Sequence, residues 1–246
     1  FMVKKEIDML TENYISNIQN LNRINILDEI LLQYIHKANI QSDSQQKISF
    51  FLGGGSNAGK STFRKRLKES VGNILIIDSD ELKKEIPEYQ KMLDANPEIA
   101  ASIVHKESSL MASKLLEKAI EREISHIFDG TLKDTQKYIN FIHLLKQAKF
   151  EVTLTIIDVP VKIALKRNRI RYEEAKANGD FPRLVPDEIV IQSHSMIAKS
   201  FVALKDLVDH WAIVDTQDNS DEVIATGSLG KETILNNKKY QEFLSK

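Results

Sequence analysis

Hydrophobic and polar positions divide the chain into two regimes. Over residues 4–38 apolar side chains recur at helical spacing (Ile7, Leu10, Tyr14, Ile15 and Ile18, then Ile24, Ile26, Leu27, Ile30, Leu31 and Tyr34), which predicts two helices. A polar stretch at 39–47 ends them. Beyond it, short apolar runs at 48–52, 74–78, 126–129, 152–158 and 211–215 read as buried strands, with amphipathic helical patterns between most of them. That alternation predicts an α/β fold, a parallel sheet with helices on both faces, preceded by a short N-terminal helical segment. Asp78, Asp129 and Asp158 each end one of these runs, at the carboxyl edge where open α/β sheets bind ligands. A turn at 218–221 is expected to precede one last strand and a C-terminal helix around 232–244.

Directly after the first strand, Gly54-Gly55-Ser56-Asn57-Ala58-Gly59-Lys60-Ser61 fits G-x-x-x-x-G-K-[ST] and is followed by Thr62 and an amphipathic helix whose Phe63 and Leu67 face inward. Glycines at 54, 55 and 59 are expected to permit backbone conformations that a Cβ would forbid, so that successive N–H groups surround a triphosphate. Lys60 would reach the β- and γ-phosphates. Ser61 would offer its hydroxyl to Mg²⁺, and the helix N-terminus would add its partial positive charge. A nucleoside triphosphate and Mg²⁺ are the expected cofactors, with residues 54–62 as the binding segment.

Composition narrows the partners. Lys+Arg 34 against Asp+Glu 35 leaves the net charge at −1, so nothing global favours nucleic acid or a membrane surface. There is no cysteine, which excludes disulfides, thiolate metal sites and cysteine nucleophiles and fits a reducing compartment. No apolar run approaches the ~20 residues of a membrane span, and the first residues lack the apolar stretch of a signal peptide. The expected location is the cytoplasm.

Other segments could carry chemistry. Transfer of a γ-phosphoryl group to an alcohol needs a carboxylate to orient the hydroxyl and take its proton. In Asp78-Ser79-Asp80, Asp80 is the candidate base, with a helix cap as its structural alternative; Asp78 has the weaker claim. Lys83, in the same segment, is a candidate substrate contact. In Asp129-Gly130-Thr131, Asp129 could hold the water shell of Mg²⁺ and Thr131 could contact a phosphate or substrate oxygen. From Lys166 to Arg183 the chain is basic, and Arg171 and Arg183 fit a lid whose guanidinium groups bridge oxygens of the γ-phosphate. A solvated helix face accounts for Lys166, Arg167 and Arg169. The six histidines show no metal-ligand spacing, and there is no G-x-S-x-G elbow.

The ordered set of phosphate loop, D-x-D, D-G-T and two spaced arginines resembles the zeta toxin family of P-loop kinases over roughly residues 46–246, with 1–45 as a helical extension outside it. The resemblance implies a kinase that uses ATP and Mg²⁺ to phosphorylate a sugar hydroxyl of UDP-N-acetylglucosamine. It makes Lys60 and Ser61 the nucleotide and Mg²⁺ residues, Asp80 the base, Thr131 a polar contact, and Arg171 and Arg183 the γ-phosphate clamp. Two positions depart from the family pattern: Ile86-Pro87 stands where the family usually has His-Pro, and Asp129 where it often has Glu. Both bear on the acceptor side. Kinases of another small alcohol or a nucleic-acid 5′-hydroxyl, and an ATP-binding switch, therefore stay as alternatives, although the 7% aromatic content disfavours a nucleic-acid channel. The family also implies an antitoxin partner whose helix obstructs the nucleotide site. The 4–38 helices are accordingly either a cap that buries an apolar face or an inhibitor in cis.

Overall fold

A computed structural model of the chain describes residues 21–40, 46–95, 97–179, 184–218, 221–228 and 230–246. All five expected runs are strands: β1 (Ile48–Gly54), β2 (Leu75–Asp78), β3 (His126–Asp129), β4 (Glu151–Asp158) and β5 (His210–Asp215). Two more, β6 (Glu222–Ser228) and β7 (Lys231–Ile234), complete a seven-stranded sheet in the order β2-β3-β1-β4-β5-β6-β7. The β3-β1-β4-β5 pairs are parallel, and β6 and β7 are antiparallel additions. The first of the two predicted N-terminal helices lies outside the described residues. The second is α1 (Leu21–Ala38). Among the described residues no helix is long and apolar enough to cross a membrane.

The C-terminal expectation is corrected. Glu232 belongs to β7, and the last helix begins only at Asn237, where the Asn236 side chain accepts from the Lys239 amide at 3.2 Å. All four β7 residues are exposed, so this edge strand carries no apolar alternation for a sequence reading to find.

Contacts divide the chain into two compact units, Phe1–Gln41 with Ile77–Glu121 and Ser42–Ile76 with Arg122–Lys246. In the second, neighbouring residues of β1 point to opposite faces of the sheet and find different helices. Leu52 joins Ile74, Ile76 and Ile127, against which Phe63 and Leu67 of α2 (Lys60–Val71) pack. Phe51 instead lies 5.7 Å from the ring of Tyr138 on α3 (Thr135–Gln147), in an aromatic cluster with Phe128 and Phe141. Both faces are therefore covered, as a parallel sheet requires.

In the first unit, α1 buries Leu27, Leu31 and Ile35 at four-residue spacing. The chain leaves β2 through a single helical turn, Ser79–Leu82, capped by the Asp78 carboxylate, which accepts from the Asp80 amide at 2.8 Å. The long helix α4 (His105–Glu121) buries Met111, Leu115, Leu116 and also Glu107. Arg23 of α1 donates to both oxygens of Glu107, at 2.6 and 3.0 Å, and to both oxygens of Glu88, at 2.8 and 2.7 Å.

His126 gives this fold an acid sensitivity. Its ring is fully buried between Ser49 Oγ at 2.8 Å and the Ile124 carbonyl at 2.9 Å. Nδ1–H donates to the carbonyl and Nε2 accepts the Ser49 hydroxyl, so the neutral ring is satisfied, and burial pushes its pKa down to about 4. Between about 6.5 and about 4 the unfolded chain takes up a proton that the folded chain refuses. Stability is accordingly expected to fall by up to ~3 kcal/mol as pH drops through that window. Urea unfolding across this range, compared with His126→Gln, checks it: equal pH dependence in the two proteins would remove the role of His126.

Candidate active site

The phosphate loop joins β1 to α2. Gly59 sits at φ 95°, in the left-handed region, and Asn57 at φ 59° shares it, a conformation asparagine tolerates. Of the three loop glycines expected to need such freedom, Gly59 does; at Gly54 and Gly55 the requirement is room. A Cβ on Gly55 would come within 2.4 Å of the His194 ring. No side chain caps α2. The amides of Lys60, Ser61 and Thr62, in its first turn, have no intrahelical acceptor and are available to an anion. Ser61 and Thr62 are exposed.

Loop carbonyls are turned outward and held from behind. Ala58 O accepts from Thr216 Oγ1 at 2.6 Å and from Arg167 Nη1 at 3.3 Å, and Arg167 also donates to Thr216 O at 2.5 Å. Arg167 sits on α5 (Val161–Ala177). The expectation that it lies on a solvated helix face is thereby corrected: its guanidinium is pinned between the loop and the end of β5, while Lys166 and Arg169 are exposed. Asn168, buried next to it, clamps the returning chain through Val185, donating to its carbonyl at 2.7 Å and accepting from its amide at 3.3 Å.

At the tip of β3, the buried Asp129 meets two cations of α2. Lys60 Nζ donates to one carboxylate oxygen and Arg64 to the other at 2.9 Å, while Lys60 also reaches the Gly130 carbonyl at 3.3 Å. The structure thus brings Lys60 and Asp129 together. Arg64 escaped the sequence reading, although its place one helical turn after Lys60 puts both on the same face of α2. Thr131 is exposed just beyond. A triphosphate competing for Lys60 would release one oxygen of Asp129. That carboxylate and the Ser61 hydroxyl are hard oxygen donors of the kind Mg²⁺ takes.

In the other unit, Asp78 rather than Asp80 is the helix cap. The Asp80 carboxylate is 78% exposed and accepts from Lys83 Nζ at 2.6 Å, while Lys83 itself is buried. Arg171 is exposed on α5, and Arg183 lies outside the described residues.

The family model described as Zeta toxin matches residues 33–226. Toxin PezT of Streptococcus pneumoniae is 30% identical over 150 residues, 60% of this chain and 59% of PezT. Toxin zeta of Streptococcus pyogenes is 24% identical over 181 residues, 73% of this chain and 60% of that protein. The matches thus span about three fifths of these relatives' length. Among solved structures, a chain of the PezAT chromosomal toxin-antitoxin system of Streptococcus pneumoniae superposes with a TM-score of 0.69 at 19% identity, covering 90% of this chain and 94% of that one. A chain of the AvrRxo1-ORF1:AvrRxo1-ORF2 complex solved with ATP does so at 0.65 and 18%, covering 92% and 73%. These two likenesses are of fold. With the family model matching most of its length, this chain belongs to the zeta toxin family.

Proposed function

We propose that the chain is an ATP-dependent phosphotransferase that moves the γ-phosphoryl group to a hydroxyl of a nucleotide-sugar, UDP-N-acetylglucosamine. The observation that carries this reading is the phosphate loop with Lys60 and Arg64 gathered on Asp129. Residues 54–62 would cradle the triphosphate, and Lys60 would exchange Asp129 for the β- and γ-phosphate oxygens. Bound Mg²⁺, which Ser61 and Asp129 would hold, neutralises charge on the phosphates. Asp80 is the proposed base, with Lys83 and Thr131 as substrate contacts and Arg171 and Arg183 as the cationic clamp. The family membership and the fold support a phosphotransferase; the acceptor is an inference from the family. An antitoxin that covers the nucleotide site is the proposed partner, and the cytoplasm the proposed location.

The test is ATP consumption with Mg²⁺, with and without UDP-N-acetylglucosamine, followed by mass spectrometry of the sugar nucleotide. A gain of one phosphate is expected. ATP consumption that ignores the sugar nucleotide would overturn the acceptor, and ATP binding without turnover on any alcohol would turn the reading into a nucleotide switch. In the same assay Asp80→Asn is expected to bind ATP normally and lose about a hundredfold in kcat, because the amide cannot take the hydroxyl proton. Full activity in that variant would remove Asp80 from the chemistry.

A further inference from the structure

Two consecutive side chains of α6 (Asp187–Leu204) bracket the backbone of one phosphate-loop residue. The Ser56 amide donates to Ser193 Oγ at 2.8 Å, and the Ser56 carbonyl accepts from His194 Nε2 at 3.0 Å. Ser193 is itself fixed, donating to the Val190 carbonyl at 2.7 Å. Because a carbonyl can only accept, Nε2 carries a proton whatever the state of Nδ1. The ring lies against Gly55 so closely that any Cβ there would collide with it.

His194 is 1% exposed, and its Nδ1 has no hydrogen bond among the described residues; Asp158 Oδ1 stands 3.7 Å away and is itself occupied by Lys246 Nζ at 2.5 Å. Burying a ring nitrogen without a hydrogen bond costs stability that an apolar side chain of similar size would not incur. The return on that cost is the Nε2 bond to the loop. With Ser56 O held by His194 and Ala58 O held by Thr216 and Arg167, alternate carbonyls of the loop face outward. Seven residues after Ser193 on α6, on the same face as Ser193, Ser200 donates to the Leu132 carbonyl at 2.8 Å, so the helix also braces the turn that follows Asp129.

We propose that His194, assisted by Ser193, is a positioning residue for the triphosphate: it sets the phosphate loop in its anion-binding shape without touching the nucleotide. The inference rests on the reading that this loop binds ATP. The experiment is calorimetric binding of ATP with Mg²⁺, and of adenosine as a probe that lacks phosphates, to the full chain and to His194→Leu, His194→Gln and Ser193→Ala, with melting curves for each. His194→Leu is expected to weaken ATP binding about tenfold and leave adenosine binding unchanged, the equivalent of one lost hydrogen bond. His194→Gln, whose amide places a donor near Nε2, is expected to recover most of the loss. A folded His194→Leu variant with wild-type ATP affinity overturns the proposal, as does an equal loss in the Leu and Gln variants or an equal loss for adenosine. Should His194→Leu fail to fold, Ser193→Ala carries the test: a several-fold loss for ATP alone is expected, and unchanged affinity overturns the proposal. A wild-type chain that does not bind ATP overturns the underlying reading as well, which separates the two failures.

Discussion

Lys60→Ala is expected to lower phosphoryl transfer about a thousandfold, because it would remove the cation proposed for the β- and γ-phosphates, where charge accumulates during transfer. The same change is expected to cost little stability. Asp129 is buried, and a buried carboxylate stripped of its partners is expensive, but Arg64 remains on its second oxygen at 2.9 Å. Activity and fold thus part company in this variant. Acceptor-dependent ATP turnover together with a urea melt checks it. Turnover within tenfold of wild type would remove Lys60 from the chemistry, and a large loss of stability would mean that Arg64 alone cannot compensate Asp129.

Arg23→Ala is expected to destabilise its unit by about 2–3 kcal/mol. Its guanidinium donates to both oxygens of Glu107, whose side chain is 0% exposed. Burial already pushes the Glu107 pKa up to about 7, so truncation strands a buried carboxyl that takes up a proton at neutral pH and loses both hydrogen bonds. Glu88, which shares the guanidinium, is 45% exposed and can turn to water, so Glu88→Gln is expected to cost less than about 1 kcal/mol. Adding Glu107→Gln to Arg23→Ala is expected to restore part of the loss above about pH 7, where Glu107 would otherwise have to take up a proton to stay buried. Urea unfolding followed by circular dichroism, with hydrogen exchange at α4, measures all three. A loss under 1 kcal/mol for Arg23→Ala would show that Glu107 finds its stabilisation elsewhere. The same contacts bear on the N-terminal helices: deleting residues 1–45 removes Arg23 together with the buried Leu27, Leu31 and Ile35, so the expected result is a loosened α4. Release of a still-folded, more active kinase would instead favour the inhibitor in cis.

Much of the sheet was legible because its strands are buried on both faces and so appear as continuous apolar runs. The edge was not: Lys231 to Ile234 pair with β6 through backbone groups that the side chains do not advertise. The phosphate loop was legible because its eight residues are contiguous and each has a local steric or chemical reason. The surrounding residues divided differently. Asp78 and Asp80 are both acidic residues at a strand end, and only the hydrogen bond to the Asp80 amide separates cap from candidate base. Arg167, Arg169 and Arg171 look alike in the sequence, yet Arg167 reaches back to Ala58 while the other two are exposed.

The sequence by itself determined the α/β alternation, the phosphate loop and the helix that presents Lys60, since these follow from residues within a few positions of one another, through strand and helix periodicity and the steric freedom of glycine. Tertiary structure alone decided what stands behind that loop. His194 is 138 residues from Ser56, and Thr216 is 158 from Ala58. A hydrogen bond between groups so distant in the chain is directional and short, and its partners are chosen by how helices and strands pack rather than by any local preference. The loop's composition is a property of the sequence, and the shape in which it is held is a property of the fold.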